Sequence, residues 1–417
     1  MSLTSHLKNP RSPVRAFLLE RFPNTREVVK ECRRSLVGVE TMLPPTSAER
    51  YPYDLIGMAF DYRLRFYFAE APQAELVAYH GMTEVEAAGY RLLCPSGEEQ
   101  KEMLKRGVRF SSLGDFVLQR VPLAEVREEE VLAEVPPPLQ GLQVRGGLLS
   151  YNKSLIDDLS TNLEEVCSVC GKVFFFGNAS VARPNVGEFT DRLRDTLAEL
   201  SPVGQRLPRP QEELVARYCV VLALYETIYR SGHIPDSLRF PSTASPLTAA
   251  AVDDLLAIPQ SNWIDDLCNL SWAFHDDNGD FLQRTATLNP TFDGSAHVGG
   301  ADADIIVDDC LIEFKLTVNS GLKKLRDWLY QLLGYTLLDY GDKYGIRSVA
   351  LYLPRQRTWL RWDLNDLIDK LGGSQPLLLG GSRDQLGAAL GNLRAEFRRV
   401  VEPSPARVQS RAKRSGQ

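Results

Sequence analysis

The chain has 417 residues, with 48 Lys and Arg against 54 Asp and Glu and a formal charge of −6 at pH 7; that balance excludes a protein that coats nucleic acid by bulk charge, though not one with local basic surfaces. Hydrophobic residues at 44% and charged residues at 24% match an ordinary globular chain, and at roughly 100–200 residues per domain the length predicts two or three domains. The longest apolar runs, such as Cys219 to Tyr225, fall far below the roughly 18 residues that cross a bilayer, and the opening MSLTSHLKNPRS carries no apolar leader, so the expectation is a cytoplasmic chain with no membrane partner.

Residues 1–138 read as a mixed α/β N-terminal region of unassigned role. Within it, YPYDLIGMAFDYRLRFYF (Tyr51 to Phe68) sets Arg63, Arg65 and Tyr67 against Leu64, Phe66 and Phe68, an alternation that suggests a strand or the edge of a buried helix and needs no explanation beyond core packing. Glu128, Glu129 and Glu130, then Pro136, Pro137 and Pro138, end regular structure, because consecutive prolines fix φ and remove backbone donors.

Residues 139–245 form a middle, largely helical region. Its clearest element is a helix from Glu212 to Ser231, largely buried through Leu214, Val215, Val221, Leu222 and Leu224. The odd count of seven cysteines argues against a disulfide framework. Cys167 and Cys170, in CSVCGK, have the spacing of a zinc knuckle, a turn whose Gly171 lets backbone N–H groups point at sulfur. A structural Zn²⁺ needs two further ligands, for which Cys219, Cys268, His233 and His275 are candidates. A turn with two free thiols, or a redox pair, remains the alternative. The loop PSTASPLT around Pro241 and Pro246 makes the next boundary. No phosphate-binding or dinucleotide glycine loop is present. Residues 403–417 form a basic, disordered tail with Arg407, Arg411, Lys413 and Arg414.

Residues 246–402 carry the chemistry. A helix from Asn262 to Phe274 holds Asp265 and Asp266, and a first strand lies between Phe281 and Phe292. GGADADIIVDDCLIEFK then reads as a hairpin, with apolar runs Ala303 to Val307 and Cys310 to Lys315 around Asp308-Asp309. Period-two alternation puts Leu311, Glu313 and Lys315 on one face and Asp302, Asp304 and Ile306 on one face of the partner, so Asp304, Glu313 and Lys315 converge. Either Asp302 or Asp304 could be the main ligand; Asp304, directly before the apolar strand, is preferred. Two carboxylates and a lysine in such strands must neutralise one another or hold a metal. Oxygen donors of this kind suit Mg²⁺ or Mn²⁺. GLKKLRDWLYQLLGYTLLDY follows as a helix from Leu322 to Tyr340, with Gln331 and Tyr335 four apart on the face that carries Trp328. Strands at Ser348 to Leu353 and Thr358 to Trp362 flank a turn whose Arg355 and Arg357 are candidates for phosphate contact. His297, just before Gly299, is the one histidine near the proposed site.

An Asp followed nine positions later by Glu-x-Lys across a hairpin, with Gln331 and Tyr335 on the next helix, resembles the PD-(D/E)XK nuclease superfamily and its RecB-type members, over roughly Pro246 to Glu402. The resemblance implies an α/β (α+β multidomain) chain whose C-terminal part is a restriction-endonuclease-like αβββαβ core, a mixed central sheet flanked by helices, beside mixed N-terminal regions. It implies Asp304 and Glu313 as Mg²⁺ ligands, Lys315 as the catalytic lysine, and Gln331 and Tyr335 lining the pocket. The implied activity is metal-dependent phosphodiester hydrolysis in nucleic acid, DNA favoured, in defence against foreign DNA or in repair, with a homo-oligomer or protein partner reached through the N-terminal regions. The competing expectation is an inactive nuclease fold serving as a nucleic-acid-binding or assembly module.

Overall fold

The apolar runs of the last third of the chain become the strands of one mixed sheet, around which helices from both ends of the sequence gather. The computed structural model describes residues 2–45, 51–69, 76–88, 143–145, 148–150, 184–231, 235–238, 250–372 and 383–402. In chain order the helices are α1 (Leu3–Lys8), α2 (Pro13–Arg21), α3 (Thr25–Ser35), α4 (Tyr53–Phe68), α5 (Val77–Ala88), α6 (Val186–Leu200), α7 (Arg209–Ser231), α8 (Val252–Ala257), α9 (Ser261–Asn278), α10 (Leu322–Leu338), α11 (Leu364–Leu371) and α12 (Arg383–Val401). The strands are β1 (Gln143–Arg145), β2 (Leu148–Ser150), β3 (Ala286–Leu288), β4 (Ile305–Val307), β5 (Cys310–Phe314), β6 (Ser348–Leu353) and β7 (Thr358–Asp363). The fold is thus mixed α and β. Among the described residues no helix is long and apolar enough to cross a membrane.

The chain divides into two compact units: Met1–Phe68, Pro202–Arg206 and Asp266–Gln417 form the first, and Ala69–Ser201 with Leu207–Asp265 the second. This differs from three successive regions read along the sequence, because residues 1–68 pack with the C-terminal part. The reason is apolar burial at long range: Leu3, Leu7, Phe17, Leu18, Phe22, Val28 and Val29 share one core with Leu325, Leu329, Leu332 and Leu333 of α10 and with Phe397 of α12, and Phe17 meets Phe397 with ring centroids 5.2 Å apart. Gly334 leaves room for the Leu3 side chain, which a Cβ there would meet at 3.0 Å.

In the first unit the sheet order is β3-β4-β5-β6-β7. β3 to β5 form an antiparallel meander, β5 and β6 run parallel, and β7 returns antiparallel to β6. The parallel step needs a crossover, which α10 supplies. Every residue of β4, β5 and β6 is buried, as expected of strands covered on both faces. On one face Ile306, Leu311, Val349 and Leu351 join the core of α10. Phe314 points the other way, into an aromatic cluster with Phe60 of α4, Phe274 of α9 and Tyr352, at centroid distances of 6.2, 5.9 and 6.0 Å.

The aromatic segment Tyr51 to Phe68 is not a strand but α4. Its side chains are buried around the whole helix, Ile56, Ala59, Phe60, Tyr62, Arg63, Leu64, Arg65, Phe66 and Tyr67 among them, so no 3.6-residue stripe marks it in the sequence. The interleaved arginines fold back on aromatic rings of the same helix, Arg63 at 3.6 Å from the Tyr67 centroid and Arg65 at 5.0 Å from that of Tyr62.

In the second unit α7 is the long buried helix, with Val215, Ala216 and every residue from Tyr218 to Tyr225 enclosed. It packs against α5 at Gly81, where a Cβ would overlap the Tyr225 carbonyl. β1 and β2 pair antiparallel with Val144 opposite Leu149.

Candidate active site

The hairpin forms where the sequence places it. Asp308 adopts the left-handed conformation at φ 54°, one that Asp tolerates in turns, and Val307 pairs with Cys310, Ile306 with Leu311 and Ile305 with Ile312. Continued by one residue, that register sets Asp304 opposite Glu313. The Asp304 N–H donates to Glu313 Oε1 at 3.3 Å, and the Phe314 N–H donates to Asp304 Oδ2 at 2.7 Å. Lys315, whose own N–H continues the pairing with β6 through Tyr352 O at 3.0 Å, turns its ammonium back onto Glu313 Oε2. The glutamate side chain is 1% exposed and the lysine 18%, so the pair is enclosed but reachable from the lysine side.

A carboxylate that the sequence reading left out completes the group. Asp61 comes from α4, which crosses the open end of the hairpin; Gly57, one turn earlier on the same helix face, meets Leu316 at 3.8 Å from its would-be Cβ. Burial and the neighbouring Asp304 push the Asp61 carboxyl well above its ordinary pKa. Burial likewise raises Asp304, and burial with Asp304 pushes Glu313 up to about 8. On Lys315 the desolvation that would lower the pKa is overcome by Glu313 and Asp304, so the net shift is upward and the ammonium is held. Asp61 makes no hydrogen bond or ion pair with any described residue, and Asp302, one position beyond Ala303, adds its charge to Asp304.

Gln331 and Tyr335 meet as the helical spacing requires, with Gln331 Nε2 donating to Tyr335 Oη at 2.9 Å. Tyr335 is buried, stacks on Phe292 at 5.5 Å, and has its phenol pushed well up by burial and by the nearby Glu313. Five of the residues selected from the sequence, Asp304, Glu313, Lys315, Gln331 and Tyr335, therefore share one electrostatic neighbourhood.

The arginines of the turn do not join them. Arg355 is fully buried: its Nη1 and Nη2 donate to Asp266 Oδ1 and Oδ2 at 3.1 and 2.6 Å. Its Cζ lies 5.7 and 5.4 Å from the ring centroids of Tyr51 and Tyr53. It is thus a structural tie and no candidate for phosphate contact. The turn Pro354–Gln356 is itself enclosed, contrary to the usual exposure of strand connections. Arg357 is exposed at φ 49° and pairs with Asp277 through Nε at 2.6 Å. Asp266 is taken by Arg355 and Tyr51, and Asp265 by Arg209, so neither helical aspartate serves the site. His297 turns to Tyr340 Oη at 3.2 Å. Cys219 and Cys268 are buried and the His275 ring bonds the Gly204 carbonyl at 3.3 Å; Cys167, Cys170 and His233 lie outside the described residues.

Carboxylate oxygens are the donor type that hard divalent cations take. Asp304 Oδ1 and both Asp61 oxygens accept nothing from described residues, and a buried cluster of carboxylates with raised pKa values exchanges protons for a metal readily. Among the described residues no three His, Cys, Asp or Glu side chains stand close enough to cage a metal unaided. Mg²⁺ is commonly held by one or two carboxylates and keeps several waters, so an open arrangement of this kind suits it better than it suits Zn²⁺. No family model, curated protein or solved structure matches the chain.

Asp61 had a legible signal. It is an acidic residue inside an apolar, aromatic segment, and the desolvation argument that singled out Asp304 and Glu313 applies to it equally.

Proposed function

We propose that the chain is a metal-dependent nuclease of the PD-(D/E)XK type that hydrolyses phosphodiester bonds, with DNA the favoured substrate. The observation that carries this reading is the meeting of Asp304, Glu313 and Lys315 at the open end of one hairpin, joined by Asp61 from another part of the chain. Their partners are described in the site above, and the meander β3–β5 with a helical crossover to a parallel β6 is the strand order such a core uses. Asp304 and Glu313 would hold Mg²⁺ or Mn²⁺, which when bound supplies an acidified water and neutralises charge on the phosphate. Lys315, kept as an ammonium, orients the attacking water and stabilises the oxygens of the pentavalent transition state. In hydrolysis a water oxygen would form the new bond to phosphorus and give up a proton to solvent, while the bond to the leaving sugar oxygen breaks and that oxygen takes a proton from solvent. Gln331 holds the Tyr335 hydroxyl in place beside Glu313.

The absence of a three-ligand cage among the described residues favours a second reading, an inactive nuclease fold that binds nucleic acid or assembles with partners. One assay separates the two. Purified protein with Mg²⁺ or Mn²⁺ is expected to cut at least one of a panel of single- and double-stranded DNA and RNA substrates. Lys315→Ala should lower the rate by roughly a hundredfold or more with its circular dichroism unchanged. Full activity in that variant removes the proposed role of the lysine, and binding without cleavage by the wild type supports the scaffold reading.

A further inference from the structure

Arg65 stands one helical turn after Asp61 on α4, and the pair has the spacing at which an aspartate and an arginine join across a helix surface. They do not: no ion pair links them, although Arg65 is close enough to act electrostatically on both Asp61 and Asp304. Arg65 is 9% exposed. Its Nε and Nη1 are shut from solvent and have no hydrogen-bond partner among the described residues, and Nη2 has only a long contact of 3.4 Å to Asn289 Oδ1. Asn289 is itself at φ 49°, at the end of β3, where its N–H donates to the Asp304 carbonyl at 3.1 Å. A buried guanidinium with open donors calls for an anion. None of the described carboxylates pairs with it, which leaves these donors to an anion from outside the described residues.

We propose that Arg65 is the phosphate-gripping residue of this site, its guanidinium taking a non-bridging oxygen of the phosphodiester that a cation at Asp304 would bring beside Asp61. The assignment rests on the nuclease reading above. Arg65 is thereby a substrate-binding residue, and the shared helix face without mutual neutralisation follows: Asp61 would serve a cation and Arg65 the anion that accompanies it. A planar guanidinium suits two oxygens of one phosphate at once, which an ammonium cannot match.

The test uses the full chain and a short DNA whose cut position has been mapped with the wild type, beside the same DNA carrying one uncharged methylphosphonate at that position. Affinities are measured in Ca²⁺ to hold the complex without turnover. Arg65→Met is expected to weaken binding of the charged DNA about tenfold and to leave the methylphosphonate DNA unchanged, while the thermal shift produced by Mn²⁺ alone persists. Arg65→Lys, which keeps the charge but not the guanidinium that lies over the Tyr62 ring, recovers part of the loss and carries the comparison should Arg65→Met fail to fold. Equal affinity of wild type and both variants for the two DNAs overturns the assignment, as does an equal loss on both DNAs, the mark of a packing role. A wild type that cuts nothing removes the nuclease reading and this assignment together, whereas cleavage by the wild type with unchanged affinities in the variants removes this assignment alone.

Discussion

Asp304→Asn is expected to make the metal-free protein more stable at pH 8 while lowering cleavage by roughly a thousandfold. The sign follows from the carboxylates. Glu313 has its pKa pushed up to about 8 by burial and by Asp304, so between the unfolded value near 4.5 and about 8 the folded protein holds a proton that the unfolded chain releases. Stability then falls as pH rises through that window; Asp61 and Asp304, also raised, act in the same direction. The raised Lys315 favours the folded state through the window and begins to lose that effect only above the ordinary lysine range, so it does not reverse the slope. Removing the Asp304 charge relieves Glu313, while the Asn oxygen still accepts from the Phe314 N–H. The expected gain at pH 8 is on the order of 1–2 kcal/mol, read as a rise in midpoint by thermal or urea unfolding and shrinking toward pH 5. A loss of stability at pH 8 would show that the Asp304 charge is compensated within the metal-free protein and that the site is not under electrostatic strain.

Arg355→Ala is expected to destabilise the first unit by about 3–5 kcal/mol, the usual result of removing one partner from a buried ion pair. Asp266, 3% exposed at its side chain, would be left charged with, among the described residues, the Tyr51 hydroxyl to answer it. Because the pair is enclosed, the loss should change little between low and moderate salt. The combination Arg355→Met, Asp266→Leu and Tyr51→Phe, which removes the three polar side chains and leaves the Met42 carbonyl, should recover most of the loss. Urea unfolding of these variants decides the matter. If Arg355 were instead a surface contact to phosphate, the alanine variant would unfold like the wild type and bind DNA more weakly.

These two cases mark what the sequence carries and what it does not. The hairpin was legible because two β-branched runs flank Asp308-Asp309, and period two then aligned Asp304 with Glu313 and Lys315. Gln331 and Tyr335 were legible because a helix fixes which residues four apart share a face, and Asn262 to Phe274 was found for the same reason, four residues short at its C-terminal end and one at its start. α4 was not, because a helix enclosed all round has no polar side to set the period, and its alternating aromatic and basic residues imitate a strand. Its Asp61 was lost with it. Arg355 misled because residues in a strand connection are ordinarily solvated, and only the fold reveals that Asp266 and Tyr51 lie over this one. The docking of residues 3–35 on α10 leaves no local trace, since amphipathic helices do not name their partners.

Calorimetric titration of the metal-free wild type with Mn²⁺ at pH 7, repeated in two buffers of different ionisation enthalpy and with Asp304→Asn, bears most directly on the claim that these carboxylates form a metal site. Saturable binding with release of about one proton per ion, absent from Asp304→Asn, is the result expected of carboxylates that hold protons until a cation replaces them. No binding by the wild type, or equal binding by the variant, would contradict it.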